Sequence, residues 1–152
     1  MKPLLVLLIV FAAGCLTHYL LFEEINFSLC ARISMTAMLI FTAIGHFVYT
    51  KGMVLMLPTF IPFKREVVLL TGIFEILIGF VLLIPTYKIY AGWVLIGFLI
   101  LVLPANIHAA INKVDYQKAS FNGYGIKYLW FRIPLQLFFI GWIYLSTIFS
   151  RT

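Results

Sequence analysis

The sequence has little charge and little cysteine. Only 11% of its 152 residues are charged, and five of them are acidic, whereas about 25% is usual for a soluble domain. So few charges cannot cover a soluble core, so the composition excludes an ordinary soluble domain. Cys15 and Cys30 form no C-x-x-C pair, which argues against a cysteine metal cluster. A bridge between them and two free apolar thiols both stay open.

Long apolar runs dominate the remaining sequence, which is 64% hydrophobic. Each run is long enough to cross a bilayer as a helix, and none alternates polar and apolar residues as a strand would. We therefore predict an all-α fold: a polytopic membrane four-helix bundle with an additional N-terminal span, in one integral membrane domain, 1–152. The predicted spans are Pro3–Phe22, Ser28–Tyr49, Glu66–Thr86, Lys88–Ile111 and Gly125–Phe149.

The first run leaves two interpretations open. Residues 1–22 read as an additional span, or as an uncleaved signal anchor, placed before a bundle of residues 28–149. The small residues that end at Cys15 resemble a cleavage site. The apolar run continues beyond Cys15, which favours a retained helix.

The basic residues fall mostly on one side of the predicted membrane. With the N-terminus inside, seven basic residues lie inside and three outside, in agreement with the positive-inside rule. We therefore expect an integral protein of a bacterial cytoplasmic membrane, with its N-terminus in and its C-terminus out. The lipid bilayer is its expected partner, and nucleic acid is not. The inside residues are Lys2, Lys51, Lys64, Arg65, Lys113, Lys118 and Lys127.

Glu75 lies in the middle of a predicted span, where an ionisable group is costly unless it is paired. At about 1.5 Å per helical residue, His46, Asn106 and Arg132 fall at one inner depth, with Glu75 and Gln136 about one turn deeper. We therefore predict a buried polar layer of these five residues, with an ion pair between Glu75 and Arg132. The layer is either a ligand site or a lock on helix register.

Gly72, Glu75 and Gly79 share one helix face, so a neighbouring helix should come close there. The apolar link from Met53 to Phe63 contains Pro58 and Pro62, which forbid a continuous helix. We expect an interfacial or re-entrant segment, which is either a lid over the polar layer or a simple connector.

His46 and His108 could in principle hold a haem between them. The sequence has no other feature of a haem pocket, so we expect no haem, and no metal site is predicted.

Several short motifs, in this order, resemble the DoxX-like family of small membrane proteins. They are Gly45-His46-Phe47, Pro58-Thr-Phe-Ile-Pro62, Gly72-Ile-Phe-Glu75, Pro104-Ala-Asn106 and Arg132-Ile-Pro134-Leu-Gln136. The resemblance implies a four-helix membrane bundle. It also implies varied roles in relatives, among them quinone-coupled sulfur oxidation, redox complexes and receptor assembly.

Two functions follow as expectations. The first is an accessory protein that binds a hydrophobic small molecule or a membrane protein partner through the polar layer. The second is a quinone-handling subunit of a membrane oxidoreductase, in which His46 and Glu75 exchange protons. Whether the chain is an enzyme stays open, although the sequence argues against activity of the isolated chain. Its cofactor is unknown, and quinone is the one possibility that stays open. A transporter would show inverted repeats, and none is visible.

Overall fold

The computed structural model describes residues 2–150, and this part of the chain is built from helices. Six α-helices are followed by a π-helical segment, and the described residues contain no β-strand. The all-α prediction is confirmed. The helices are α1 (Lys2–Phe22), α2 (Phe27–Val48), α3 (Thr50–Met56), α4 (Lys64–Leu83), α5 (Lys88–Ile111) and α6 (Ile126–Ile143), and the π segment is Tyr144–Phe149.

Five of these helices are long and apolar enough to cross a membrane: α1, α2, α4, α5, and α6 continued by the π segment. Their bounds agree with the predicted spans to within about three residues at each end. The chain is therefore an integral membrane protein with five candidate spans.

Local sequence explains where the helices begin and end. The Asn26 side chain accepts a hydrogen bond from the Leu29 N–H and so caps the start of α2. α3 ends at Met56, before Pro58, and α4 ends at Leu83, before Pro85. Prolines also lie within α5 and α6, at Pro104 and Pro134, and both helices continue through them.

α2 is the central helix of the bundle. It packs against α1 and α4 along much of its length and also contacts the π segment. Met35 and Leu39 of α2 meet Leu82 of α4 and Leu95 of α5 in the buried core. α1 packs chiefly on α2, and most of its surface faces outward.

The two ends of the bundle differ. The α3 end carries α3 and the connection 112–125, which are packed together: the backbone oxygen of Tyr116 lies where a side chain on Gly52 would begin. Residues 57–63 follow α3 as an irregular segment with Phe60 and Phe63 exposed. At the opposite end lie the connection from α1 to α2, the connection from α4 to α5, and the end of the π segment.

Candidate polar site within the membrane helices

The buried carboxylate of Glu75 contacts His46. Glu75 Oε1 lies 3.4 Å from His46 Nε2, and the two side chains are 10% and 18% exposed. Among residues 2–150, this is the one contact of an acidic with a basic side chain at ion-pair distance. α4 supplies the acid and α2 supplies the base, so the pair joins the two helices near the α3 end.

Gly72 makes this contact possible. It lies one turn before Glu75, and a methyl group at this position would lie only 2.8 Å from Cβ of His46. Without a side chain at 72, α2 approaches α4 and brings His46 beside the carboxylate. The predicted shared face of Gly72, Glu75 and Gly79 does face α2, because a methyl at 79 would touch Thr36 and Leu39.

The hydrogen bonds determine how the imidazole is protonated. His46 Nδ1 lies 2.9 Å from the Val68 carbonyl oxygen, which can only accept. Nδ1 therefore carries a proton, and Nε2 faces Glu75. A neutral imidazole beside a protonated carboxyl and an imidazolium beside a carboxylate would each place one proton between Nε2 and Oε1.

Thr42 can accommodate either form. Its hydroxyl oxygen lies 2.8 Å from Glu75 Oε2 and 2.9 Å from the Leu39 carbonyl oxygen. An ionised Glu75 accepts the hydroxyl proton. A Glu75 protonated on Oε1, toward His46, still accepts the same hydroxyl proton at Oε2. The environment therefore supports a proton on either member of the pair.

The predicted ion pair between Glu75 and Arg132 is wrong. The Arg132 guanidinium instead donates to Asn106 Oδ1 and lies over the rings of Tyr128 and Tyr116, at 4.8 and 5.7 Å from their centroids. The Gln136 amide donates to the Leu99 carbonyl oxygen. The predicted layer therefore consists of two clusters: His46 with Glu75 between α2 and α4, and Asn106, Arg132 and Gln136 between α5 and α6.

From its place near the start of α2, at the end of the bundle opposite α3, Arg32 is expected to reach water or to pair with Glu23 or Glu24. Instead it is buried and donates to the carbonyl oxygens of Leu82 and Leu83 at the end of α4. An arginine that binds the last carbonyls of a helix also meets the negative end of its dipole.

The segment that contains Pro58 and Pro62 lies at the α3 end, directly after α3. α3 itself contacts α2 and α5, which each carry part of one polar cluster. The Thr50 hydroxyl donates to the His46 carbonyl oxygen, and Met53 reaches the α2 backbone at Gly45. His108 Nδ1 donates to the Met56 carbonyl oxygen at 3.0 Å. His108 therefore ties α3 to α5, and Pro58 and Pro62 follow in the connection.

Tyr116 in the connection 112–125 is partly buried beside Arg132 and Tyr128. Burial raises the pKa of its phenol above the ordinary value of 10.0, and the neighbouring guanidinium of Arg132 opposes the change. This ring therefore stays neutral at physiological pH and can keep its contact with the cation.

Two residues of the site had a signal in the sequence that our prediction missed. Thr42 precedes His46 by four residues, and Thr71 precedes Glu75 by four, so each lies on the same helix face as the residue it accompanies. Thr71 Oγ1 lies 3.1 Å from His46 Nδ1. The described residues include no group of three or more side chains that could hold a metal ion.

Two cavities lie between α1 and α6, away from both polar clusters. One, of about 460 Å³ near the α3 end, has an almost wholly apolar lining that includes Leu4, Leu8 and Trp130. The other, of about 660 Å³ at the opposite end, has polar residues at its mouth and Phe11 and Trp142 in its walls.

Comparison with known proteins identifies a family but no activity. No curated protein and no solved structure matches the chain. One family model matches residues 35–147, from within α2 to within the π segment, and leaves α1 outside. The chain belongs to the family described as a domain of unknown function, DUF8561.

Proposed function

We propose that this chain is a small membrane accessory protein that binds a hydrophobic ligand, or the helix of a membrane partner, at the pair formed by His46 and Glu75. The observation that carries the proposal is a histidine–carboxylate pair at 3.4 Å within two predicted spans. Ionisable groups inside a membrane are costly and are commonly functional.

The pair offers complementary chemistry to an apolar molecule that carries a carbonyl or hydroxyl group. In its neutral form, Glu75 can donate a hydrogen bond and His46 Nε2 can accept one. The side chain of His46 is 18% exposed, so a ligand or helix lying along α2 and α4 could reach it. α3 lies against this end of the site, because its Thr50 hydroxyl donates to the His46 carbonyl oxygen.

The test is native mass spectrometry of the protein purified in a mild detergent. The wild type should retain a hydrophobic small molecule, and Glu75→Gln should lose most of it. Glu66→Gln is the matched control, because Glu66 is an exposed acid in the first turn of the same helix. Equal retention by all three proteins, with unchanged folding, would argue against this site.

The same variants test whether the ligand is a partner helix. If it is, affinity purification from membranes should recover a partner protein with the wild type and with Glu66→Gln, and much less of it with Glu75→Gln. If neither a small molecule nor a protein depends on Glu75, the pair is a structural contact between α2 and α4.

A quinone-handling subunit is the second candidate, and the 3.4 Å contact of His46 Nε2 with Glu75 Oε1 favours it, because the two atoms can share a proton. Reduction of a quinone takes up two electrons and two protons. The pair could pass one proton to a quinone oxygen and, after taking up another from water, pass on the second, while a redox centre of a partner subunit supplies both electrons. In membranes that contain the partner, Glu75→Gln should slow quinone reduction by about 100-fold or more and leave quinone binding within a few-fold. An unchanged rate would exclude proton delivery by Glu75.

We further propose that the α3 end faces the cytoplasm of a bacterial cell, because it carries the excess of basic residues. Single cysteines at the exposed positions Phe60 and Phe22 test this in a background without Cys15 and Cys30. A membrane-impermeant thiol reagent applied to intact cells should label position 22 and spare position 60. The opposite labelling would reverse the orientation.

A further inference from the structure

The larger cavity extends about as deep as one lipid leaflet. Phe11 lines its deep part and lies about 16 Å before the end of α1, which is close to half of a hydrocarbon core about 30 Å thick. Glu24 and Asn26, in the turn between α1 and α2, line its mouth. A cavity that runs from the mid-membrane to the polar boundary has the length of a single lipid molecule.

The walls of this cavity are fixed by hydrogen bonds between helices. The Trp142 indole N–H donates to the Ala31 carbonyl oxygen at 3.1 Å, and the Ser28 hydroxyl donates to the Ser146 carbonyl oxygen at 2.8 Å. Phe11 packs edge-to-face on Trp142. The Ser146 wall belongs to the π segment, and π-helical turns are frequent at functional sites. The cavity is therefore a built feature of the fold.

The mouth presents acceptors for a cationic headgroup. His18 Nδ1 lies 2.7 Å from the Glu24 carbonyl oxygen, so Nδ1 carries the proton and Nε2 of the neutral ring is an acceptor. Glu24, an exposed acid, is among the residues that line the same space. Asn26 Oδ1 is taken by the Leu29 N–H, which leaves the Asn26 amide N–H groups as donors. These groups match a headgroup that carries an ammonium beside a phosphate.

We propose that this cavity binds one zwitterionic phospholipid whose headgroup ends in a primary ammonium. The ammonium is bound by Glu24 and His18 Nε2, the phosphate lies toward Asn26, and an acyl chain lies along Phe11 and Trp142. An anionic headgroup is disfavoured because it would place its charge beside the Glu24 carboxylate. This site is separate from His46 and Glu75 and does not depend on the function proposed for them.

The test uses two probe lipids with identical acyl chains, phosphatidylethanolamine and phosphatidylglycerol. The full chain is purified in mild detergent, exposed to an equal mixture of both lipids, and examined by native mass spectrometry. We expect the wild type to retain phosphatidylethanolamine over phosphatidylglycerol by about two- to fivefold, the ratio expected for one partly exposed ion pair. Glu24→Gln should remove the preference, and Glu24→Lys should reverse it.

Glu23→Gln is the matched control, since Glu23 is the neighbouring exposed acid and does not line the cavity. It should keep the wild-type ratio. Ile25→Trp, which adds bulk at the mouth, should lower the amount of both lipids. A wild type that retains both lipids equally, or neither, overturns the proposal, and so does a Glu24→Gln variant with an unchanged ratio. Glu75→Gln should leave the ratio intact, which separates this site from the proposed function.

Discussion

Replacing Gly72 with alanine should disrupt the contact between α2 and α4 that brings His46 to Glu75. The added methyl would lie 2.8 Å from His46 Cβ and 3.5 Å from the Ala43 carbonyl oxygen. Ordinary contact requires about 3.5–4.0 Å between carbon atoms, so the helices must separate by about 1 Å or His46 must move. Neither neighbour is the free end of a flexible side chain, so overpacking should cost about 1–3 kcal/mol.

Two other glycines provide matched controls. At Gly79, two turns further along the same face, a methyl would lie 3.4 Å from Thr36 Cγ2, at the edge of ordinary contact. Gly97 in α5 has nothing within 4 Å. We expect Gly79→Ala to cost less than about 1 kcal/mol and Gly97→Ala to have little effect or a small stabilising one.

The assay is unfolding in mixed detergent micelles, followed by tryptophan fluorescence. The order of destabilisation should be Gly72→Ala, then Gly79→Ala, then Gly97→Ala. If Gly72→Ala is as stable as Gly97→Ala, α2 does not approach α4 at His46, and the reasoning is refuted.

The remaining predictions concern the α3 end. Gly52→Ala should destabilise the protein by about 1–3 kcal/mol or more, because its methyl would overlap the Tyr116 backbone oxygen. A thermal unfolding temperature as high as that of Gly97→Ala would contradict this. Arg132→Lys should cost about 1 kcal/mol, measured by the same unfolding assay, because lysine loses the planar group that reaches Asn106 and stacks on tyrosine. The raised pKa of Tyr116 favours the neutral phenol in the folded state, so the stability it provides is present below pH 10.0 and is lost as pH rises through the folded-state pKa. In an absorbance titration, the wild type should show one phenol that ionises at higher pH than the ordinary value and that is missing from Tyr116→Phe. Identical titration curves above pH 10.0 would count against the burial of Tyr116.

The membrane helices were predictable because length and apolar composition determine them. A continuous run of about 20 apolar residues crosses a membrane as a helix, because the helix satisfies all its backbone hydrogen bonds internally. Pro58 and Pro62 likewise predicted an interrupted link, since proline removes a donor and cannot continue a helix. The structure has a short helix there, followed by an irregular segment.

The pairing of the polar residues was predictable only in part. Helical rise gave the depth of each residue, and the spacing of Gly72, Glu75 and Gly79 gave the close-packed face of α4. Depth along a helix does not determine which neighbour that face meets. The face of α4 that carries Glu75 packs on α2, and Arg132 of α6 contacts α5. Glu75 therefore contacts His46. Only tertiary packing decides that arrangement.

Arg32 illustrates the same limit. The sequence predicts that Arg32 reaches water or pairs with one of the nearby acids, Glu23 and Glu24. The carbonyl oxygens of Leu82 and Leu83 are fifty residues away in sequence, and they are also acceptors for a guanidinium. Backbone acceptors at helix ends carry no residue signature, so a prediction from side chains alone does not find them.

The most direct test of this account is a pair of double-mutant cycles on Glu75. At 3.4 Å, two unit charges attract by about 5 kcal/mol at an effective dielectric constant of 20, before the cost of desolvation. We therefore expect a net coupling of about 1–3 kcal/mol between Glu75→Gln and His46→Gln in the free energy of unfolding. Glu75→Gln and Arg132→Gln should be additive within about 0.5 kcal/mol. Coupling of Glu75 to Arg132, with none to His46, would contradict the pair on which the proposed function rests.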